Sequence, residues 1–205
     1  MRLILIRHGE TVENVNEIVQ GQQNGTLTKK GKEQAKLLGK RLKEEKIDYI
    51  ICSDLGRVKN TAKEIIKFHQ KTPIEYSKEV RERAMGIFEG GKFEVVRDEI
   101  KKKGLTRFTH KPEKGENYSM VKKRAERFLK KIKKEFKGKT LLVCSHGAYN
   151  KVLLSIILGK KMEEVVENWE QKNTCVNIIE FDPKNTRKIE VKLINCTKHL
   201  EEKIN

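Results

Sequence analysis

Two periodicities alternate along the chain. Short unbroken apolar runs, Leu3-Ile4-Leu5-Ile6, Tyr49-Ile50-Ile51-Cys52 and Leu141-Leu142-Val143-Cys144, read as strands. Between them, apolar positions recur at helical spacing. Residues 28–45 predict a helix with Ala35, Leu38 and Leu42 on one face and Thr28 as N-cap. Residues 57–68 predict a second, with Val58, Ala62, Ile65 and Ile66 turned inward. The clearest stripe is Val121, Ala125, Phe128, Leu129, Ile132 and Phe136, within a helix over residues 119–137. Its opposite face is nearly all Lys, Arg and Glu. Its place between other core elements favours packing on a sheet over a membrane role. Residues 148–158 read as a largely buried helix, and residues 73–80 as a weaker, edge-like strand. Two last apolar runs, 175–181 and 189–194, flank the turn Asp182-Pro183-Lys184-Asn185 and predict a closing antiparallel pair.

This order predicts an α/β fold of three layers, α/β/α, on a mostly parallel sheet of about six strands with one antiparallel strand. The least regular stretch, about residues 86–118, holds several glycines, a short helical pattern over 93–103, Pro112 and Gly115. It reads as a lid-like insertion. No repeat or low-complexity linker interrupts the 205 residues, so one domain over 1–205 is expected.

Composition changes this picture little. Charged residues make up 37% and the net charge is +17, which suggests an anionic partner. Aromatics are only 6%, and no zinc-finger, RNP or homeodomain-like pattern is present. A solvated lysine-rich surface therefore outweighs a specific nucleic-acid site. The cysteines, Cys52, Cys144, Cys175 and Cys196, form no C-x-x-C pair, and three lie in strand-like runs. They read as reduced thiols, with no metal site. The first strand has no secretory segment before it, and the longest mostly apolar stretch, 152–158, is too short to span a bilayer. A cytoplasmic protein without membrane attachment is expected. Its oligomeric state stays open, a homodimer included.

Chemistry gathers where strands end. Arg7-His8-Gly9-Glu10-Thr11 follows the first strand, and Ser145-His146-Gly147 follows residues 141–144. In an open parallel sheet, ligands bind beyond the carboxyl ends of strands, so both histidines and Arg7 are expected at one crevice. For Arg7 and His8 to meet one ligand the chain must leave the strand, which Gly9 allows. Arg57 begins the helix after the second strand, where free amides favour anions. Glu82, within Arg81-Glu82-Arg83, is a candidate general acid. Of the other histidines, His69 lies near a helix C-terminus, His110 is expected to be exposed in the irregular stretch, and His199 reads as structural.

Each of these is ordinary alone. Together they resemble the histidine phosphatase, or phosphoglycerate-mutase-like, superfamily over essentially the whole chain. Residues 3–11 are similar to its strand-R-H-G-E-T signature. Ser53-Asp54-Leu55-Gly56-Arg57 with Thr61-Ala62 resembles S-D-L-x-R-x-x-x-T-A. Arg81-Glu82 with Gly86 and Glu89-Gly90 resembles R-E-x-x-x-G-x-x-E-G. Gly115-Glu116, Ser145-His146-Gly147, and Asn195 with His199-Leu200 match later motifs. Asn24, Thr26, Gln22 and Asn117 depart from the usual Asp, Pro, Trp and Ser.

The resemblance implies a metal-independent phosphomonoester phosphatase that needs no cofactor and acts on a small phosphorylated metabolite. It implies that His8 becomes a phosphohistidine and that Glu82 is acid and then base. Arg7, Arg57 and His146 would bind the phosphoryl oxygens as three cations, and Asn14, Gln20 and Gly21 would contact substrate. The alternative on the same scaffold is a 2,3-bisphosphoglycerate-dependent phosphoglycerate mutase, which usually has a longer insertion than the span between Gly90 and Glu116. Arg83 keeps some mutase-like character. Arg81-Glu82-Arg83, Gln20-Gly21-Gln22 and residues 145–149 are also similar to TIGAR-type sugar bisphosphatases. A third reading, a silent anion- or RNA-binding module, predicts indifference to loss of His8.

Overall fold

A computed structural model describes residues 1–185 and 188–201. Its single sheet has the order β3-β2-β4-β1-β5-β6. The strands are β1 (Arg2–Arg7), β2 (Tyr49–Ser53), β3 (Ile74–Ser77), β4 (Thr140–Ser145), β5 (Val176–Phe181) and β6 (Ile189–Cys196). The pairs β3–β2, β2–β4 and β4–β1 are parallel. β5 pairs antiparallel with both β1 and β6. The expected architecture, a mostly parallel sheet with one reversed strand, is the one found.

The unbroken apolar runs follow from burial on two sides. Along β1, Leu3 and Leu5 enter one core while Ile4 and Ile6 enter the other. β4 divides likewise, Leu141 and Val143 against Leu142 and Cys144. The first core is covered by α5 (Tyr118–Glu135), α6 (Gly147–Leu158) and α7 (Met162–Asn168). The second is covered by α2 (Lys29–Leu42) and α3 (Gly56–Ile66). Thr28 caps α2, accepting from the Gly31 amide, as expected. Asn117 caps α5 through the Met120 amide, so a residue other than Ser still supplies the acceptor.

Two short helices escape the periodicity reading. One is α1 (Val12–Val15), closed by a reciprocal Thr11–Asn14 capping box. The other is α7. The strand expected over 73–80 ends at Ser77, because Lys78–Val80 form a 3-10 turn. The irregular stretch contains α4 (Phe93–Lys102). Among the described residues, no helix is long and apolar enough to cross a membrane.

β1 leads into α2 on one face, whereas its neighbour β4 leads into α6 on the other. The chain therefore diverges between the carboxyl ends of β1 and β4. Divergence of this kind opens a crevice that no crossover covers.

Candidate active site

That crevice opens into a cavity of about 540 Å³ lined by Arg7, His8, Arg57 and Glu82, and by Asn14, Gln20 and Gly21. Seven of the eight expected site residues thus share one wall. The eighth, His146, is fully buried directly behind, its ring centroid 5.3 Å from that of His8.

His8 is 2% exposed, at the end of β1. Its Nδ1 lies 2.8 Å from the Gly9 carbonyl oxygen. A carbonyl only accepts, so the proton sits on Nδ1 and the Nε2 lone pair is exposed to chemistry. Burial, with Arg57 and Arg7 close by, holds the imidazole pKa well below its usual value. His8 is therefore neutral at neutral pH. Arg57 Nε donates to His8 Nε2 at 3.2 Å.

Gly9 acts differently from expectation. It does not adopt left-handed backbone; instead a Cβ there would stand 2.6 Å from the Gly31 carbonyl oxygen. Its smallness lets the loop after β1 press onto the first turn of α2. The Gly9 amide then donates to Thr61 Oγ1 on α3.

Arg57 is 1% exposed. Its guanidinium donates to the Gly21 carbonyl at 2.9 Å and to the Gln23 carbonyl. Burial pushes its pKa down to about 10, which leaves it charged at neutral pH. The free amides expected at the start of α3 are not free. Asn24 takes them, its Oδ1 accepting from Gly56 N and its carbonyl from Arg57 N. Any anion held here is held by the side chain of Arg57, not by the helix end.

Arg7 donates through Nη1 to the Gln171 carbonyl at 2.6 Å, while its buried Nε has no partner among the described residues. Gly147 faces it, since a Cβ there would lie 3.3 Å from Nε. His146 bonds Ser53 Oγ through Nε2 at 2.8 Å, and its buried Nδ1 is unpartnered among the described residues. Burial beside Arg57, His8 and Arg7 holds its pKa well below the usual value. The expected trio of cations is thus a pair, Arg7 and Arg57, backed by a neutral imidazole.

Glu82 faces the cavity from the segment after β3. Its carboxylate accepts from the amides of Arg83, Ala148 and Tyr149, the last two in the first turn of α6. The helix N-terminus orients this acid. Behind it, Arg124 on α5 donates to the carbonyls of Glu79, Arg81 and Glu82 and to the Glu116 carboxylate. Gln22 reaches the Glu82 carbonyl and accepts from Arg81, itself paired with Asp54.

Asn14 spends Oδ1 on the Thr11 amide within its capping box. Gln20 is buried with Oε1 unpaired among the described residues. Arg83 gives its guanidinium donors to the Glu116, Arg107 and His110 carbonyls and to His110 Nδ1, and stacks on Tyr118. His110 is buried, between Arg83 and Glu99 Oε1, rather than exposed. His69 bonds the last carbonyl of α2, Leu42. His199 is buried against Thr174.

Sequence reasoning missed the supports from the α7–β5 loop: the Gln171 carbonyl on Arg7 and Asn173 Nδ2 on the His8 carbonyl. It also missed Arg124. An arginine placed among apolar positions of α5 was the available signal. The loop contacts are long-range and leave no local pattern.

The histidine phosphatase superfamily (branch 1) model matches residues 3–196. The chain is 34% identical over 163 residues to a protein of Erwinia tasmaniensis named "Probable phosphoglycerate mutase GpmB", covering 78% of this chain and 75% of that one. It is 29% identical to a broad-specificity phosphatase of Saccharomyces cerevisiae, covering 98% and 87%. The solved structure of YhfR from Bacillus stearothermophilus superimposes with a TM-score of 0.87 at 28% identity, covering 97% and 98%. The match of nearly the whole chain and the shared architecture give one conclusion: this chain belongs to the histidine phosphatase superfamily.

Proposed function

We propose that the protein is a phosphatase that hydrolyses small phosphomonoesters through a phosphohistidine on His8. The chain is an enzyme of the phosphoric monoester hydrolase type. The observation that supports it most is the neutral His8, its Nε2 unprotonated and set beside the Arg57 guanidinium in a cavity shared with Glu82.

In the first step Nε2 of His8 attacks phosphorus and the bond to the leaving oxygen breaks. Glu82 gives that oxygen its proton. In the second step Glu82 takes a proton from water, whose oxygen attacks phosphorus. The P–N bond breaks, and His8 returns to its neutral form. An arriving phosphoryl oxygen takes over the Arg57 Nε donor that otherwise meets Nε2. Arg7 Nε and His146 Nδ1 supply further donors. If Ser53 Oγ–H donates to Nε2, His146 Nδ1 carries the proton and can donate it. Fixed donors around spreading charge are the main need of phosphoryl transfer. We assign substrate contact to Gln20 as a residue of the cavity wall. We assign residues 86–118 to one domain with the rest, as a wall of the cavity.

The mutase reading draws on the GpmB relative. Against it, Arg83 has its donors committed to the protein. The two readings separate in one assay. In excess EDTA, wild type should hydrolyse an aryl phosphate and the His8→Ala protein should not. No hydrolysis, with primed interconversion of phosphoglycerates, would make the mutase reading correct.

A further inference from the structure

The cavity also carries on its wall two cations that the chemistry above does not use. Lys151 lines it from α6, one turn after Ala148, whose amide holds Glu82. Arg107 lines it from the segment before α5. The Lys151 ammonium donates to the Val166 carbonyl at 3.0 Å and has no carboxylate within 4.0 Å among the described residues. The Arg107 guanidinium makes no hydrogen bond or ion pair among the described residues; only its backbone carbonyl is engaged, by Arg83. Two further acids line the cavity, Glu167 and Glu170. Glu167 Oε1 is engaged by the Phe108 amide at 2.8 Å.

We propose that Lys151 and Arg107 form a seat for a second anionic group, carried by the part of the substrate that leaves. This inference rests on the phosphatase reading of the same cavity. The preferred substrates are then phosphomonoesters whose alcohol bears a carboxylate or another phosphate. Such a group pairs with two cations that form no ion pair within 4.0 Å among the described residues, Glu82 and Glu167 acting on Lys151 only at longer range. Cavity size agrees, since about 540 Å³ holds a small metabolite and not orthophosphate alone. Burial, and Arg107 next, pushes the Lys151 pKa down to about 8, with Arg7 acting in the same direction and Glu82 and Glu167 opposing. A cation so destabilised gains from an anion brought against it.

Three ligands of similar length isolate the seat: glycerol 3-phosphate, 3-phosphoglycerate and 1,3-propanediol bisphosphate. The first has a neutral far end, and the others carry carboxylate and phosphate. Dissociation constants are measured by calorimetry on the non-turning-over His8→Ala protein, alone and with Lys151→Met, Arg107→Met or Lys151→Arg added. The two charged ligands should bind about tenfold tighter than glycerol 3-phosphate, a preference each Met variant reduces severalfold and Lys151→Arg largely keeps. Whichever charged ligand shows the larger preference names the group. Raising the pH through about 8 should shrink the preference as Lys151 loses its proton. Equal binding of all three ligands overturns the seat, as does an equal loss for all three in Lys151→Met. Failure of the phosphatase reading shows separately, as absent hydrolysis by the His8-intact protein.

Discussion

At the scale of single residues, the site depends on where protons sit. His8 and His146 are kept neutral by burial and by the two arginines, while those arginines stay charged. A nucleophile of lowered pKa is deprotonated above that pKa and fails only below it. The rate of phosphoenzyme formation, corrected for the substrate's own ionisation, should therefore show no acid limb near the ordinary imidazole value of about 6.5. Single-turnover kinetics from pH 8 to pH 5 would check this. Glu82 should matter most where the leaving oxygen most needs a proton. Glu82→Gln should slow an alkyl phosphate by roughly 10²–10⁴-fold and an aryl phosphate far less. Equal losses on both would remove Glu82 from the proton transfer. The residue types were legible in the sequence because the strand-end motifs carry them. Their protonation was not, since it depends on burial and on charges brought together from β1, α3 and β4.

At the scale of elements, the strands deliver the reactive groups and one loop locks them. β5 places Asn177 beneath the α7–β5 loop, where its side chain bonds the Gln171 amide in both directions, the Leu5 carbonyl and the Asn195 amide. The Gln171 carbonyl in turn holds Arg7. Asn177→Ala leaves these buried partners unmet, which should cost roughly 1–3 kcal/mol of stability. Denaturant unfolding reads that cost. A parallel rise in KM with little change in kcat would place the effect on Arg7. The alternation of apolar runs and amphipathic stripes made six strands and the five longest helices readable. α1 and α7 were missed because four and seven residues are too few to declare a period. His110 was read as exposed because a loop with Pro and Gly usually is, yet Arg83 and Glu99 bury it.

At the scale of the whole molecule, one architectural fact positions the chemistry. Adjacent strands β1 and β4 send their chains to opposite faces, so the functional crevice is built into the topology. That much followed from the order of elements. The enclosure of the cavity did not, because Lys151, Arg107 and Trp169 come to it from segments far apart in sequence. Burying neutral histidines also has a global consequence. His8 and His146 have strongly lowered values, and burial takes His199 down to about 4. Unfolded, each would protonate near pH 6.5, so below that value the unfolded chain binds more protons than the native one. Stability should fall as pH drops below 6.5, by up to about 1.4 kcal/mol per unit for each such histidine. Thermal melts at pH 7.5 and 5.5 measure it, and a melting temperature unchanged or raised at pH 5.5 would contradict neutral burial.

A phosphohistidine on His8 is a covalent species and can be caught directly. The protein is mixed with a labelled phosphomonoester in excess EDTA, quenched within one turnover, and its peptides are examined by mass spectrometry. An acid-labile, base-stable phosphoryl group is expected on the peptide carrying His8 and absent from the His8→Ala protein. Rapid turnover with no phosphoryl group on His8, or undiminished turnover by His8→Ala, would contradict a phosphohistidine route.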